Sequence, residues 1–256
     1  MGAARRVTYG PAPGQFADLW LPDGQDDHSH RPVVVLIHGG FWRNRYDLTL
    51  MEPLAADLVT RGYAVWNLEY RRLGDDGGGW PGTMTDVAAG VDHLRTCAEA
   101  DDLDLDRLAV VGHSAGGHLA LWAAGRAALP ADAPGSAPSV CPMVAIGQGA
   151  VVDLVGAAAA PLGDGAVMEL LGGSPDEVPG RYAMARPRLD AGATVVSVVG
   201  TCDDIVPPSC SVDPLRPGAI DVIEIEGADH FDLIDPDHGA WAAVVDRLDG
   251  TIAAAN

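Results

Sequence analysis

The chain has 256 residues, 48% of them apolar, and sets 36 Asp and Glu against 16 Arg and no Lys, for a formal charge of −20. That charge disfavours nucleic acid, acidic membrane surfaces and polyanionic substrates as partners. No apolar run nears the roughly 18 to 20 residues that cross a bilayer, and the start MGAARRVTYG lacks the apolar stretch of a secretory signal, so the expectation is a soluble, cytoplasmic protein, residues 1–256 forming one large domain.

Read forward, short apolar runs alternate with segments of helical period. Strands are predicted at 17–20, 33–37, 63–68, 107–111, 142–146, 194–199 and 220–225, and helices near 48–61, 82–98, 115–128, 164–171, 208–216 and 236–254. Such alternation predicts an α/β fold, a mostly parallel sheet covered by helices on both faces. The runs at 33–37, 107–111 and 194–199 have no polar alternation and belong in the sheet's centre. Loops rich in Pro, Gly and Asp fall at 22–32, 74–82, 129–139 and 172–192. Segment 148–193 is long and carries one short helical piece, AVMELLGG, so it is either a small cap or a surface excursion.

Ligands of open α/β sheets gather at the carboxyl ends of the strands, and four such ends carry chemistry here. VVVLI runs into His38-Gly39-Gly40-Phe41-Trp42, LAVV into Gly112-His113-Ser114-Ala115-Gly116, TVVSVVG into Thr201-Cys202-Asp203-Asp204, and VIEIEGAD into His230. Nucleophile, acid and base in that chain order match a Ser-Asp-His triad. A serine in a tight strand-to-helix turn is exposed to substrate and lies at a helix N-terminus, which favours developing negative charge. The turn crowds its own backbone, so its neighbours must be small, and Gly112, Ala115, Gly116 and Gly117 are. A G-x-S-x-G match alone is weak in a chain with 32 glycines; its conjunction with three other strand ends carries the reading.

Asp203, at the strand's end, is preferred over Asp204 as the acid, with Asp204 as a turn or capping residue. Of the eight histidines, His230 alone follows a late strand and precedes the last helix; His28, His30 and His238 sit in polar loops. The glycines after His38 suit a loop that turns successive N–H groups toward an oxyanion, with Gly40 or Phe41 and Ala115 as donors and His38 as a brace. Phe41, Trp42 and Trp80 are candidate pocket aromatics, each as readily a core residue, and His113 adjoins the serine. Cys97, Cys141, Cys202 and Cys210 form no C-x-x-C pair and no metal-ligand spacing, so reduced thiols are expected, although a Cys202–Cys210 bridge is compatible with the spacing.

Together HGGFW, EYRR at 69–72, GHSAGGHLA, GTCDDIVP and ADHFDLIDP resemble the α/β-hydrolase superfamily, and within it the esterase and kynurenine formamidase-like branch, over about residues 15–250. Phe41 stands where hormone-sensitive-lipase-type esterases carry a third glycine, and the short cap region resembles minimal-lid enzymes. The resemblance implies a serine hydrolase without metal or cofactor, acting on small carboxylic esters or, alternatively, as an arylformamidase. In the latter case Arg43 or Arg45 would meet a substrate carboxylate. A non-catalytic binding protein on the same fold is the reading from another class.

Overall fold

The computed structural model describes residues 4–23, 30–99, 101–160, 162–216 and 218–254; His28 and most of the 22–32 loop lie outside the described residues. Eight strands form one sheet: β1 (Arg5–Thr8), β2 (Phe16–Trp20), β3 (Arg31–Ile37), β4 (Ala64–Leu68), β5 (Leu103–His113), β6 (Val144–Gln148), β7 (Thr194–Gly200) and β8 (Asp221–Ile225). Their order is β1-β2-β4-β3-β5-β6-β7-β8. The pairs β1/β2 and β2/β4 are antiparallel, and from β4 to β8 all pairing is parallel. The carboxyl ends of β3, β5, β6 and β7 therefore lie side by side along one edge.

Side chains alternate across a strand, and the buried strands feed two cores by that rule. Val33, Val35 and Ile37 join one cluster with Val110 and Trp66, whereas Val34 and Leu36 join the other with Ala109 and Val111. Helices α1 (Glu52–Thr60) and α8 (Gly239–Ala253) cover the second cluster through Leu54, Leu58, Trp241, Val244 and Leu248. The first is covered by α2 (Gly82–Asp92), with α3 (Leu94–Cys97) behind it, and by α4 (Ala115–Ala124). Every residue of α4 is buried, so its apolar composition runs around the whole helix rather than along one stripe.

Three differences from the sequence reading have physical causes. Strand β1 was not predicted, because an exposed four-residue edge strand reading Arg-Arg-Val-Thr has almost no apolar signal. The helix expected at 208–216 is only a 3-10 turn over Pro208–Ser211, since Pro207, Pro208 and Pro214 supply no backbone N–H to continue it. Segment 148–193 carries three short helices rather than one: α5 (Leu154–Ala159), capped by Asp153, α6 (Ala166–Leu171) and α7 (Pro179–Ala185). The segment docks on α4, where Trp122 Nε1 donates to Met184 O at 2.9 Å and His118 Nε2 to Ala185 O at 2.8 Å. No helix among the described residues is long and apolar enough to cross a membrane.

His118 is fully buried on α4, edge-on to Trp42, with one ring nitrogen on Ala185 and Nδ1 without a partner. Burial pushes its pKa down to about 4, so it stays neutral at neutral pH. The unfolded chain binds this proton near pH 6.5, so the histidine's contribution is complete above that pH and is lost as pH falls toward 4, by about 3 kcal/mol for a buried shift of this size. His118→Gln keeps a donor for Ala185 and removes the titration. Urea unfolding followed between pH 6.5 and 4 is expected to give a stability profile flatter than wild type by about one proton; identical slopes would contradict it.

Candidate active site

Ser114 sits between β5 and α4 with φ 56° and ψ −121°, outside the regions an L-residue favours. The glycines around it allow that turn to sit against β3. A methyl group on Gly116 would run into the carbonyl oxygens of Ile37 and His38, one on Gly112 into the Gly116 carbonyl, and one on Gly39 would lie 2.9 Å from Ser114 Cβ. Ser114 N–H is tied to the end of β6, donating to Gln148 O at 2.8 Å, and Gln148 Nε2 in turn donates to Leu233 O.

Asp203 and His230 are both buried and meet through Oδ2 and Nδ1 at 2.7 Å. The other carboxylate oxygen, Oδ1, accepts the N–H groups of Ile205 at 3.0 Å and Val206 at 2.8 Å, which fixes the carboxylate plane. Gly149, at φ +55°, lies against the pair: a Cβ there would be 3.0 Å from Asp203 Oδ2 and 3.1 Å from His230 Nδ1. Asp204 is exposed. Because Nδ1 faces a carboxylate, it carries the proton, which leaves Nε2 as the basic nitrogen.

His113 is wholly buried beside this ring, 4.4 Å between centroids, and its Nε2 bonds the His230 carbonyl oxygen at 3.0 Å. Burial, then the neighbouring His230, push its pKa down to about 3, so His113 is neutral and donates. The residue next to the serine therefore holds the backbone of His230.

After β3 the backbone takes three successive positive φ values, 111° at Gly40, 53° at Phe41 and 57° at Trp42. Among the described residues, the N–H groups of Gly40, Phe41 and Ala115 make no hydrogen bond to another residue. His38 is buried under this loop, with Nδ1 on Gly39 O at 2.8 Å and Nε2 on Glu69 Oε1 at 3.0 Å, and stacks on Tyr70, whose hydroxyl donates to His38 O at 2.8 Å.

Ser114, His113, His230, Gly40 and Phe41 line one cavity of about 240 Å³, along with Arg43, Arg45, Tyr46, Leu50, Ile205 and Phe231. Two expected pocket residues are elsewhere. Trp42 is fully buried in the first core cluster, because its neighbour Phe41 takes the cavity side of the loop and Trp42 turns inward onto His118. Trp80 packs against the same core, its N–H held by Leu170 O at 2.8 Å. Tyr46 and Leu50 carry no motif and were not anticipated; Phe231 is visible only as the aromatic after His230. No residue of 148–193 lines the cavity, although that segment braces the loop: Arg43 bonds Glu169 and the Gly163 carbonyl, and Gly163 lies under the Phe41 ring. All four cysteines are free thiols, Cys202 and Cys210 included.

The BD-FAE family model matches residues 17–213, which spans three of the four strand ends at the site. The chain belongs to the BD-FAE family. Curated relatives are similar to parts of it: esterase LipC of Mycobacterium tuberculosis (strain ATCC 25618 / H37Rv) is 29% identical over 46% of this chain and 29% of its own length. Isoprenylcysteine alpha-carbonyl methylesterase ICME of Arabidopsis thaliana is 32% identical over 46% of this chain and 27% of its own. The matched regions thus span less than a third of either relative. Esterase 2 of Thermogutta terrifontis, solved phosphoramylated by tabun, superposes with a TM-score of 0.75 at 20% identity, covering 99% of this chain and 95% of that one. The fold of this BD-FAE member is that of the α/β-hydrolases, as its motifs suggested.

The close crossing at Gly116 makes a paired prediction. Gly116→Ala is expected to destabilise the fold by about 2 to 3 kcal/mol, since backbone carbonyls cannot move aside as a side chain can. Gly250→Ala, in open space within α8, is expected to gain about 0.5 to 1 kcal/mol from the lower entropy of its unfolded state. Denaturant midpoints of the two variants decide both.

Proposed function

We propose that this protein is a serine hydrolase that cleaves small carboxylic esters through Ser114, His230 and Asp203. The observation that carries the reading is that His230, paired with the buried Asp203 at 2.7 Å, and a serine held at φ 56° line one cavity. In this mechanism His230 Nε2 removes the Ser114 proton as Oγ attacks the carbonyl, and Asp203 stabilises the imidazolium without taking its proton. The N–H groups of Gly40 or Phe41 and of Ala115 receive the oxyanion. The imidazolium then protonates the leaving alcohol, and a water activated by the same nitrogen cleaves the acyl-enzyme. The esterase names of its relatives and the organophosphorus adduct of its structural neighbour support this chemistry.

The cavity volume of about 240 Å³ suits a small acyl group. Exposed Phe231 and Tyr46 at its rim favour an aryl or otherwise flat leaving group. An aryl formamide would meet the same groups, and the HGG-aromatic loop favours it as a second substrate class. Turnover of N-formyl-kynurenine against short 4-nitrophenyl esters separates the two, a strong ester preference removing the formamidase reading.

A fluorophosphonate probe is expected to label wild type and not Ser114→Ala; a folded wild type that takes no label between about pH 6 and 9 would return the chain to a non-catalytic binding role. Asp203→Asn is expected to lower kcat by as much as about 10⁴-fold, because an amide cannot hold the tautomer that leaves Nε2 basic. Asp204→Asn should stay within about twofold of wild type, and the opposite ranking would reassign the acid.

The oxyanion loop is tested separately. A side chain at Gly40 would meet the Tyr46 ring at 2.9 Å and would be strained at φ +111°. Gly40→Val is therefore expected to reduce kcat about a hundred- to a thousandfold. Phe41→Leu retains the amide, so turnover of acetyl esters should stay within about tenfold while preference among bulky substrates shifts. Near-normal turnover by a folded Gly40→Val protein would move the oxyanion donors elsewhere.

A further inference from the structure

The cavity at Ser114 inverts the charge of the molecule around it. Acidic residues outnumber arginines by 36 to 16 in the chain, yet the cavity wall contains two arginines, Arg43 and Arg45, and no carboxylate. Two other cavities both carry more acids than arginines, Asp153 and Asp213 beside Arg186 in one and Asp47, Glu69, Asp75 and Asp76 beside Arg71 and Arg72 in the other.

The two arginines differ. Arg43 is committed: Nε and Nη2 bond Glu169 Oε2 at 2.9 and 2.7 Å, and Nη1 bonds Gly163 O at 3.0 Å. Arg45 is exposed, and its contact is with the ring of its neighbour Tyr46, 5.7 Å from guanidinium carbon to centroid. Every other arginine among the described residues gives a side-chain N–H to a carboxylate or a backbone carbonyl. Among the described residues, a guanidinium that gives its N–H groups to no protein acceptor is the exception, and this one stands on the wall of the serine's cavity.

We infer that Arg45 is a specificity residue that recognises a single carboxylate on the substrate, so that the preferred esters are monoanionic. The inference rests on the ester-hydrolase reading above. Arg45 would bind the carboxylate through its planar fork of N–H donors while Ser114 attacks the ester at the other end of the same cavity. An exposed pair of this kind is weak in open water, but the apolar surfaces of Phe41, Tyr46 and Phe231 displace solvent from one side of it and strengthen it.

The test compares mono-4-nitrophenyl glutarate with 4-nitrophenyl pentanoate, for a carboxylate on the acyl side, and 4-acetoxybenzoate with 4-methylphenyl acetate, for one on the leaving group. Within each pair the ratio of kcat/KM, anionic over neutral, is read in wild type and Arg45→Gln, so differences in intrinsic reactivity cancel. The ratio is expected to fall at least about tenfold in Arg45→Gln for one pair, through KM, and to recover in part in Arg45→Lys. Raising NaCl from about 0.02 to 0.5 M should lower the wild-type ratio and leave that of Arg45→Gln flat, since salt screens an exposed pair. Calorimetric binding of benzoate against benzamide, in the Ser114→Ala background with and without Arg45→Gln, repeats the comparison without turnover. If no ester is cleaved but benzoate binding depends on Arg45, the hydrolase reading fails and anion recognition stands. If esters are cleaved and neither the ratios nor benzoate binding respond to Arg45→Gln, the inference is overturned.

Discussion

The N-terminus of α4 lies directly on the end of β3, and that approach constrains everything around it. Gly116 touches the Ile37 and His38 carbonyls and Gly112 touches the Gly116 carbonyl, so neither position can hold even a methyl group. With the helix that close, the single residue joining β5 to α4 must turn through φ 56°, ψ −121°, and its side chain emerges at the strand ends rather than in the core. Strain of this kind persists only where the surroundings over-determine it. Here the hydrogen bond to Gln148 O at 2.8 Å and an entirely buried α4 do so.

A strained serine needs partners of equal rigidity, and the structure supplies them from elements that are far apart in sequence. The carboxylate of Asp203 is pinned by two backbone N–H groups before it meets His230, and the carbonyl of His230 is pinned by His113. His113 thus links the turn that places Ser114 to the loop that places His230. Its neutrality follows from burial and from the neighbouring imidazole. A charged His113 would oppose a positive charge on His230, so the same burial that keeps it neutral would remove a repulsion from the proposed proton transfer.

The centre of the sheet was legible in the sequence because β3 and β7 are mostly apolar runs buried on both faces, and their bounds at 33–37 and 194–199 needed little adjustment. What the sequence under-described was structure held by partners rather than by pattern. Strand β1 exists through its antiparallel pairing with β2, and α5 and α7 are too short for a helical period to register. At the candidate site, the convergence of Ser114, Asp203 and His230 at one edge was legible from their strand ends, since topology brings those ends together. Trp42 could not be placed, because whether the aromatic after Phe41 faces the cavity or the core depends on two positive φ values that no residue type announces. Tyr46 and Leu50 reach the cavity through the fold of a loop, without a motif.

The pairing of the arginines extends this argument from position to charge. From the sequence, Arg43 and Arg45 were equivalent, two residues apart beside the same loop. Segment 148–193 separates them: Glu169 and the Gly163 carbonyl turn Arg43 into a strut that holds Phe41 and its loop against α6, and leave Arg45 as the arginine of the cavity wall with no acceptor. A segment that lines no part of the cavity thereby sets the cavity's electrostatics, by neutralising one of its two charges and leaving the other. In a molecule whose net field repels anions, such a local inversion acts at short range only, within about a Debye length of 8 Å at physiological salt. As proposed, it would discriminate among molecules already at the cavity mouth and do little to draw them there.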